Sequence, residues 1–241
     1  MLLLLAGTGE SRQIAEALRD EKIPVIASLS GATRGPQELP VPTRRGGFGG
    51  ADGFEGFLDE FGITAILDAT HPFAWRISTR TAHIAARRNL PHLQLLRPAW
   101  QPGVGDDWTM LEYEEEAREH IPPGARVFLA TGRQTLPRFA NLKDRYLVCR
   151  QIDPPDGPFP FPNGEYLVGR PPFSVEDEVQ LFRKLKINWL VVKNAGGAAS
   201  ATKLTAARQL GIPVAMIARP TQPETPRVET VEEALDWVRK L

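Results

Sequence analysis

Short apolar runs alternate with amphipathic segments along most of the chain. Leu2–Ala6, Val25–Leu29 and Ala65–Asp68 are typical of buried strands, whereas Glu10–Asp20 and Trp75–Arg88 have the periodicity of helices. Strands that alternate with helices indicate parallel sheets with helices packed on their faces. Because the alternation resumes in the second half, the pattern predicts an α/β fold of two Rossmann-like lobes, with mainly parallel sheets that face each other across a cleft.

The predicted boundary between the lobes lies at Arg97–Gly103, where two prolines and a glycine interrupt the alternation. We expect residues 1–99 to form one lobe and residues 100–241 the other, with a carboxyl-terminal helix that can pack back on the first. The other predicted strands are Val41–Arg45, His92–Leu96, Trp108–Glu112, Arg126–Ala130, Tyr146–Arg150, Tyr166–Val168, Trp189–Val192 and Val214–Ala218. The other predicted helices are Phe54–Phe61, Glu114–His120, Gln134–Ala140, Ser174–Lys186, Thr202–Leu210 and Val231–Leu241.

Charge and composition exclude several classes of function. Lysine plus arginine equals aspartate plus glutamate at 29 each, so no overall field attracts nucleic acid or an acidic membrane. Cys149 is the only cysteine and the four histidines are scattered, so we expect no disulfide within the chain and no metal site. The apolar start is too short for a signal peptide and no run could span a bilayer, so we predict a cytoplasmic protein.

A glycine-containing turn follows the first predicted strand. The turn predicts a phosphate site, because glycines allow close approach of the backbone and helix amino-terminal amides hold anions. The residues assigned to it are Gly7, Thr8, Gly9, Glu10 and Ser11. Arg12 stands where the dinucleotide fingerprint has its third glycine, and a plain tight turn is the alternative.

The end of the second predicted strand favours NADPH over NADH. An NAD-selective fold places a carboxylate here for the ribose hydroxyls, but this segment has hydroxyls, a glycine and an arginine instead. Its candidate residues are Ser28, Ser30, Gly31 and Arg34. A hydrogen bond from Arg34 to the extra phosphate would contribute roughly 1.5–3 kcal/mol. The alternative is that Arg34 is a solvated loop charge.

The segment Asp68–Ala74 follows the strand Ala65–Asp68, where open α/β sheets bind their ligands. We expect Asp68, Ala69 and Thr70 to border the nicotinamide end of the cofactor. Pro72 is predicted to open the following helix. His71 is a candidate proton donor, with capping of that helix as the alternative.

Polar loops also follow two predicted strands of the second lobe. Arg133 comes after Thr131-Gly132, and a helix amino terminus gives an arginine no favourable dipole, so it is a candidate ligand residue. Lysines and backbone amides suit carboxylates or phosphates. The candidates for this chemistry are Lys193, Asn194, Gly196, Gly197 and Lys203. An ordinary glycine-rich loop is the alternative.

Together these motifs resemble the precorrin-6A reductase family of cobalamin biosynthesis. The matching segments are Leu4–Glu10, Ser28–Gly31, Gly47–Gly50, Asp68–Ala74 with Ile77-Ser78, Thr131–Arg133, Lys193–Gly197, Lys203 and Pro213–Pro220. They occur in family order through nearly the whole chain. Ala6, Gly9 and Ala195 depart from residues frequent in the family.

The resemblance implies a reductase that moves hydride from NADPH to one double bond of precorrin-6A or of its cobalt-containing counterpart. It implies neither a protein-bound metal nor a flavin. The implied substrate is a tetrapyrrole macrocycle with many carboxylates, for which Arg76 and Arg80 are candidate partners beside those of the second lobe. Catalysis would come mainly from positioning. The sequence leaves open the metal state of the substrate, the face of hydride transfer, the proton donor and a monomeric or small homo-oligomeric state.

Two other functions remain open from the sequence. One is a different NADP-dependent reductase, although none of Tyr113, Tyr146 and Tyr166 is followed four residues later by the lysine of a common proton relay. The other is a non-catalytic nucleotide-binding sensor. Such a sensor would need nucleotide affinity but no basic residues for a polyanionic substrate.

Overall fold

The computed structural model describes residues 1–31 and 38–241. It divides the chain into two compact units, Met1–Pro98 with Pro220–Leu241, and Ala99–Arg219. The first boundary lies within one residue of the expected one. The expected second lobe of residues 100–241 is shorter in the structure, because the chain from Pro220 onwards belongs to the first unit.

Both units consist of strands alternating with helices. The strands are β1 (Leu2–Leu5), β2 (Val25–Leu29), β3 (Thr43–Arg45), β4 (Ala65–Asp68), β5 (His92–Leu95), β6 (Trp108–Leu111), β7 (Arg126–Leu129), β8 (Tyr146–Gln151), β9 (Gly164–Val168), β10 (Trp189–Lys193), β11 (Val214–Ile217) and β12 (Arg227–Val228). The α-helices are α1 (Gly9–Asp20), α2 (Ala51–Glu60), α3 (Trp75–Arg87), α4 (Ala117–His120), α5 (Val175–Lys184), α6 (Thr202–Leu210) and α7 (Val231–Val238). Short 3-10 helices cover Glu114–Glu116, Arg133–Leu142 and Ala198–Ser200.

The sheet of the first unit has the strand order β12-β5-β4-β1-β2-β3, and its described pairings are parallel. The chain runs outwards from β1 to β3 and then returns to β4 on the other side of β1. The order therefore reverses between β1 and β4, which is where doubly wound sheets form a crevice for ligands.

Alternate side chains of the apolar strands pack on opposite faces of this sheet. Leu4 and Leu67 lie in a core with Ile14 of α1 and Val238 of α7. On the other face, Leu3, Leu5 and Ile66 form a core with Phe54 of α2 and Ile84 of α3. Burial on both faces explains why these strands are continuous apolar runs.

The sheet of the second unit has the order β6-β11-β10-β7-β8-β9, again with parallel pairings. One of its cores joins Phe128 of β7 and Val192 of β10 to Phe182 of α5 and Leu204 of α6. The predicted fold class, an α/β chain of two units with parallel sheets, is confirmed.

Three local features differ from the sequence expectations, each for a local physical reason. The predicted helix Gln134–Ala140 is a kinked 3-10 helix that contains Pro137, which has no N–H to donate. The predicted role of Pro72 at the start of α3 is wrong: the amide of Ala74 donates to the carbonyl of His71 at 2.7 Å, and the helix begins only at Trp75. Strand β12 is too short to produce an alternating pattern.

Among the described residues, no helix combines the length and apolar character needed to cross a membrane.

Candidate functional site

The turn between β1 and α1 has the geometry of a capped helix amino terminus. Gly7 has a φ of 138°, which favours glycine. The Thr8 side chain accepts a hydrogen bond from the amide of Ser11 at 3.1 Å. The Ser11 hydroxyl in return accepts from the amides of Gly7 and Thr8, both at 3.0 Å. This reciprocal pair of bonds fixes the start of α1.

The same turn leaves room for an anion. The amides of Gly9 and Glu10 belong to the first turn of α1, where a helix offers no earlier carbonyl of its own. A methyl group built on Gly9 would meet no atom within 4 Å. A phosphate can therefore approach this backbone closely, so the residues present fit a dinucleotide.

Glu10 forms an ion pair with Arg97, which lies near the end of the segment Met1–Pro98 of the first unit. Arg97 Nη1 lies 2.6 Å from Glu10 Oε2, and the arginine side chain is 13% exposed. The Glu10 side chain is thus paired with an arginine. The backbone amide of Glu10 takes no part in this ion pair and belongs to the amino terminus of α1.

A hydrogen bond joins the β1–α1 turn to the loop after β4. Thr8 Oγ1 donates to the carbonyl of Ala69 at 2.9 Å. The two loops flank the point where the strand order reverses. A depression of ≈ 200 Å³, a volume that includes open solvent, lies here and is lined by Thr8, Glu10, Thr70, Pro72, Leu95 and Arg97.

Asp68 is buried beneath the loop that it begins. Its Oδ1 accepts from the amide and the hydroxyl of Thr70, at 3.0 and 2.7 Å. The Thr70 hydroxyl also lies 3.2 Å from the hydroxyl of Ser78 in α3. Asp68 Oδ2 is buried and has no hydrogen-bond partner among the described residues. The carboxylate therefore orders the loop from below.

His92 of β5 is a buried neighbour of Asp68. Its Nδ1 lies 2.9 Å from the hydroxyl of Thr225. Burial lowers the pKa of the imidazole, and the nearby Asp68 carboxylate opposes that shift. As the pH falls, the buried ring therefore takes up a proton later than an exposed histidine does.

The candidate proton donor His71 lies in the same loop, half-buried. Its Nδ1 accepts a hydrogen bond from the amide of Phe73 at 3.2 Å. Ala74 is the cap residue of α3 and makes no side-chain capping bond, and the amide that donates to the His71 ring belongs to Phe73, which precedes the helix. Because Nδ1 is an acceptor, the neutral ring has its proton on Nε2.

The candidate residues at the end of β2 lie beside β3. Ser28 is buried, whereas Ser30 is exposed. Gly31 has a φ of 78°, and a methyl group on it would lie 3.5 Å from the backbone of Gly46, so the loops after β2 and β3 are close. Arg34 lies outside the described residues.

Arg44 is a residue of this region that the sequence analysis did not identify. It pairs in register with Ser28, and its Nη1 donates to the Ser28 hydroxyl at 2.9 Å. Its guanidinium also donates to the carbonyls of Gly46 and Gly47, both at 2.9 Å. The guanidinium carbon lies 3.9 Å from the centre of the Phe48 ring. The β2–β3 register brings Arg44 to Ser28, whereas Gly46, Gly47 and Phe48 are its neighbours along the chain.

The candidate substrate residues differ in their exposure to solvent and in their charged neighbours. Arg76 is exposed in the first turn of α3. Arg133 follows Gly132 (φ 78°) and lies 3.9 Å from the Asp156 carboxylate. Burial lowers the pKa of Lys193 at the end of β10, an effect that the nearby Glu114 opposes.

Asn194 connects two distant segments of the second unit. Its Oδ1 accepts from the amide of Trp100 at 2.8 Å, and its Nδ2 donates to the Trp100 carbonyl at 3.0 Å. The Trp100 indole donates to the carbonyl of Gly197 at 3.0 Å. Gly196 and Gly197 have φ values of 69° and 83°. The Asn194 side chain is thus engaged with the backbone, and the glycines allow the loop to turn.

Lys203 lies in the first turn of α6, partly buried. Its ammonium group donates to the carbonyl of Ser200 and lies 5.9 Å from the centre of the Trp100 ring. Burial, aided by the charge of Arg150, lowers its pKa to about 8, although Glu178 opposes the shift. The lysine can therefore change its charge near neutral pH.

Arg150 and Glu178 form a buried ion pair that the sequence analysis also missed. Two hydrogen bonds of 2.8 Å join the guanidinium to both carboxylate oxygens. The side chains are 8% and 1% exposed. Such a pair contributes most when both partners remain, because a single buried charge is costly.

Metal-binding clusters and the single cysteine are the remaining features to consider in the part of the chain that the structure describes. No cluster of three His, Cys, Asp or Glu side chains that could hold a metal ion is found there. Burial raises the pKa of the Cys149 thiol to about 12, so it is protonated and a poor nucleophile.

Comparison with known proteins identifies the family. A family model described as precorrin-6x reductase CbiJ/CobK matches residues 1–239. A precorrin-6A reductase from Rhodococcus erythropolis is 45% identical over 246 residues, which cover 100% of this chain and 98% of the relative. A precorrin-6A reductase from Rhodobacter capsulatus is 38% identical, with 98% and 95% covered.

A more distant relative and one solved structure support the same family. A cobalt-precorrin-6A reductase from Priestia megaterium is 30% identical, with 91% of each chain covered. The solved structure of a CobK precorrin-6A reductase is 38% identical and superposes with a TM-score of 0.95, covering 99% of this chain and 96% of that one. The family predicted from the sequence motifs is thus confirmed, and the chain belongs to the precorrin-6x reductases, CbiJ/CobK.

Proposed function

We propose that this protein uses NADPH to reduce one double bond of the precorrin-6A macrocycle, giving the dihydro product on the route to cobalamin. The observation that carries the proposal is the 45% identity, over the whole chain, to a precorrin-6A reductase. The crevice at the carboxyl ends of β1 and β4, with its capped turn, supports a dinucleotide as the reductant.

We further propose the metal-free macrocycle as the substrate. The relatives named precorrin-6A reductase are 38–45% identical to this chain. Those named cobalt-precorrin-6A reductase are 26–30% identical. This difference favours the metal-free form over the cobalt form.

In this proposal the first unit binds the nucleotide. The amides of Gly9 and Glu10 hold the pyrophosphate, where helix geometry and the open space beside Gly9 suit an anion. The polar segment Ser28–Gly31 lies at the adenosine end. The loop Asp68–His71 borders the nicotinamide, and NADPH supplies the hydride when bound.

Asp68 acts in this scheme as a positioning residue, because its carboxylate is buried and bonded to Thr70. Hydride addition to the conjugated ring must be matched by a proton. His71 is the candidate donor through Nε2–H, since its Nδ1 is already an acceptor. Rate enhancement then comes mainly from holding the reacting carbon atoms in contact.

The tetrapyrrole is held by its carboxylates. Arg133, Lys193 and Lys203 of the second unit are the cations assigned to this task. Asn194 instead positions the loop by binding the Trp100 backbone. A cytoplasmic location and a monomeric or small homo-oligomeric state remain predictions.

An anaerobic assay of the full chain tests this function. We expect nicotinamide absorbance to fall when enzyme, NADPH and precorrin-6A are mixed, with a product that is heavier by two hydrogen atoms. Mixtures without macrocycle, and mixtures with cobalt-precorrin-6A, serve as controls. Faster turnover of the cobalt form would contradict the metal-free assignment. Nucleotide binding without oxidation in either mixture would favour a sensor.

A further inference from the structure

We propose that Arg44 binds the 2′-phosphate of NADPH and thereby sets the preference for NADPH over NADH. The inference rests on the proposed NADPH dependence and adds the residue that recognises the phosphate. Three features of the first unit carry it: the position of Arg44, the lack of a carboxylate within 4.0 Å of it among the described residues, and a surrounding sequence in which Glu38 is the only acidic residue from Ser28 to Gly50.

The position of Arg44 matches the adenosine end of a doubly wound sheet. In such sheets the ribose next to adenine lies at the tip of the second strand, and an arginine there accommodates a 2′-phosphate. Arg44 is the register partner of Ser28 near the end of β2. The loops that follow β2 and β3 approach each other at Gly31 and Gly46. Arg44 therefore lies at the required edge of the sheet.

The bonding partners of Arg44 are all neutral. Its guanidinium donates to the hydroxyl of Ser28 and to two backbone carbonyls. Within residues 1–31 and 38–241, no carboxylate lies within 4.0 Å of it, whereas Arg97 and Arg150 each have one. Three of the five N–H donors of an arginine are engaged in these bonds. An anion can thus supply both a countercharge and further acceptors.

The surroundings of Arg44 favour an anion over a cation. Burial lowers the pKa of the guanidinium, which nevertheless remains charged. From Ser28 to Gly50, Glu38 is the only acidic residue of the sequence. The aromatic ring of Phe48 lies against the guanidinium and restricts its movement. The bonds and this contact hold the planar group in one geometry, which suits recognition of a phosphate.

The neighbouring Arg45 provides a matched control. It is exposed, and its side chain leaves the opposite face of the strand. The test uses the full chain and measures binding of NADPH and of NADH from nicotinamide fluorescence. The variants are Arg44→Gln, Arg44→Lys, Arg45→Gln and Arg34→Gln.

We expect Arg44→Gln to weaken NADPH binding by about 10- to 100-fold, as for loss of a charge-assisted hydrogen bond, and to change NADH binding by less than about twofold. Arg44→Lys keeps the positive charge but loses the planar guanidinium and its paired N–H donors, so it should retain part of the preference for NADPH. Arg45→Gln should retain all of it.

Two results would overturn the inference while leaving the proposed function intact. One is an equal loss of NADPH and NADH affinity in Arg44→Gln and Arg44→Lys, which would indicate a role in folding the loop. The other is an unchanged preference in both variants, with the preference lost in Arg34→Gln instead. If the wild-type protein binds neither nucleotide, the proposed function and this inference both fail.

Discussion

The hydroxyl of Thr8 donates to the carbonyl oxygen of Ala69 at 2.9 Å, and so joins the loops that follow β1 and β4. The same side chain caps α1 by accepting from the amide of Ser11. One threonine therefore fixes both walls of the crevice at which the strand order reverses. The geometry of the proposed nucleotide site depends on this residue.

Replacing Thr8 with Val removes both hydrogen bonds while keeping the side-chain shape. We expect the free energy of unfolding to fall by about 1–3 kcal/mol, the sum of a lost cap and a lost hydrogen bond. Denaturant unfolding measures this change. Thr8→Ser keeps the hydroxyl and should stay close to wild type. Equal losses in the two variants would show that the hydroxyl is not responsible.

The buried ion pair of Arg150 and Glu178 should contribute strongly to the stability of the second unit. Glu178→Ala leaves a buried guanidinium without its countercharge, for which we expect a loss of about 3–5 kcal/mol in the free energy of unfolding. Glu21→Ala breaks an exposed pair with Arg239 and should have little effect. Similar small changes in both variants would contradict the structure around β8.

The charge of Lys203 should make substrate recognition depend on pH. Its pKa of about 8 means that the cation is present below that pH and is lost as the pH rises through it. We expect kcat/KM for the macrocycle to fall above about pH 8, because a substrate carboxylate bound by Lys203, as proposed, would then lose its partner. Lys203→Arg, which stays charged, should remove this fall. A fall that persists in Lys203→Arg would assign it to another group.

His92 should make folding stability depend on pH in the acid range. The pKa of the buried ring is lowered below its ordinary value of 6.5, so the unfolded chain takes up a proton before the native state does. Stability is therefore fully present above pH 6.5 and decreases as the pH falls towards the lower native pKa.

Thermal unfolding from about pH 7 to about pH 5 measures the effect of His92. His92→Asn cannot titrate and can still reach the hydroxyl of Thr225, so its melting temperature should fall less with pH than that of the wild type. His83→Asn, at an exposed position of α3, should behave as wild type. Identical pH slopes in wild type and His92→Asn would refute this role.

The sequence predicts the strands well because both faces of each sheet are buried. The predicted bounds of Val25–Leu29 and Ala65–Asp68 agree with the structure, since these strands are continuous apolar runs. The apolar pattern did not predict two elements whose structure depends on local features of the chain. Pro137 lies within a 3-10 helix, and β12 is too short to have a period.

The candidate site was only partly predictable, because motifs locate loops but do not reveal their contacts. The turn at Thr8 and the loop after Asp68 follow from strand ends. The bond from Arg44 to Ser28 depends on strand register, and the engagement of Asn194 with Trp100 depends on tertiary packing. An arginine without an acidic neighbour in the sequence was the one available signal for Arg44.

The most direct test of the proposed nucleotide site is the affinity of a Gly9→Asp variant for NADPH, measured by fluorescence titration beside Gly56→Asp. Both glycines are exposed, and a Cβ atom built on either one meets no protein atom within 4 Å, so both variants should fold. We predict that Gly9→Asp weakens NADPH binding by about tenfold or more, since its carboxylate would repel a pyrophosphate bound at the start of α1, and that Gly56→Asp binds as wild type. Unchanged affinity in Gly9→Asp would contradict the claim that the turn after β1 holds the nucleotide.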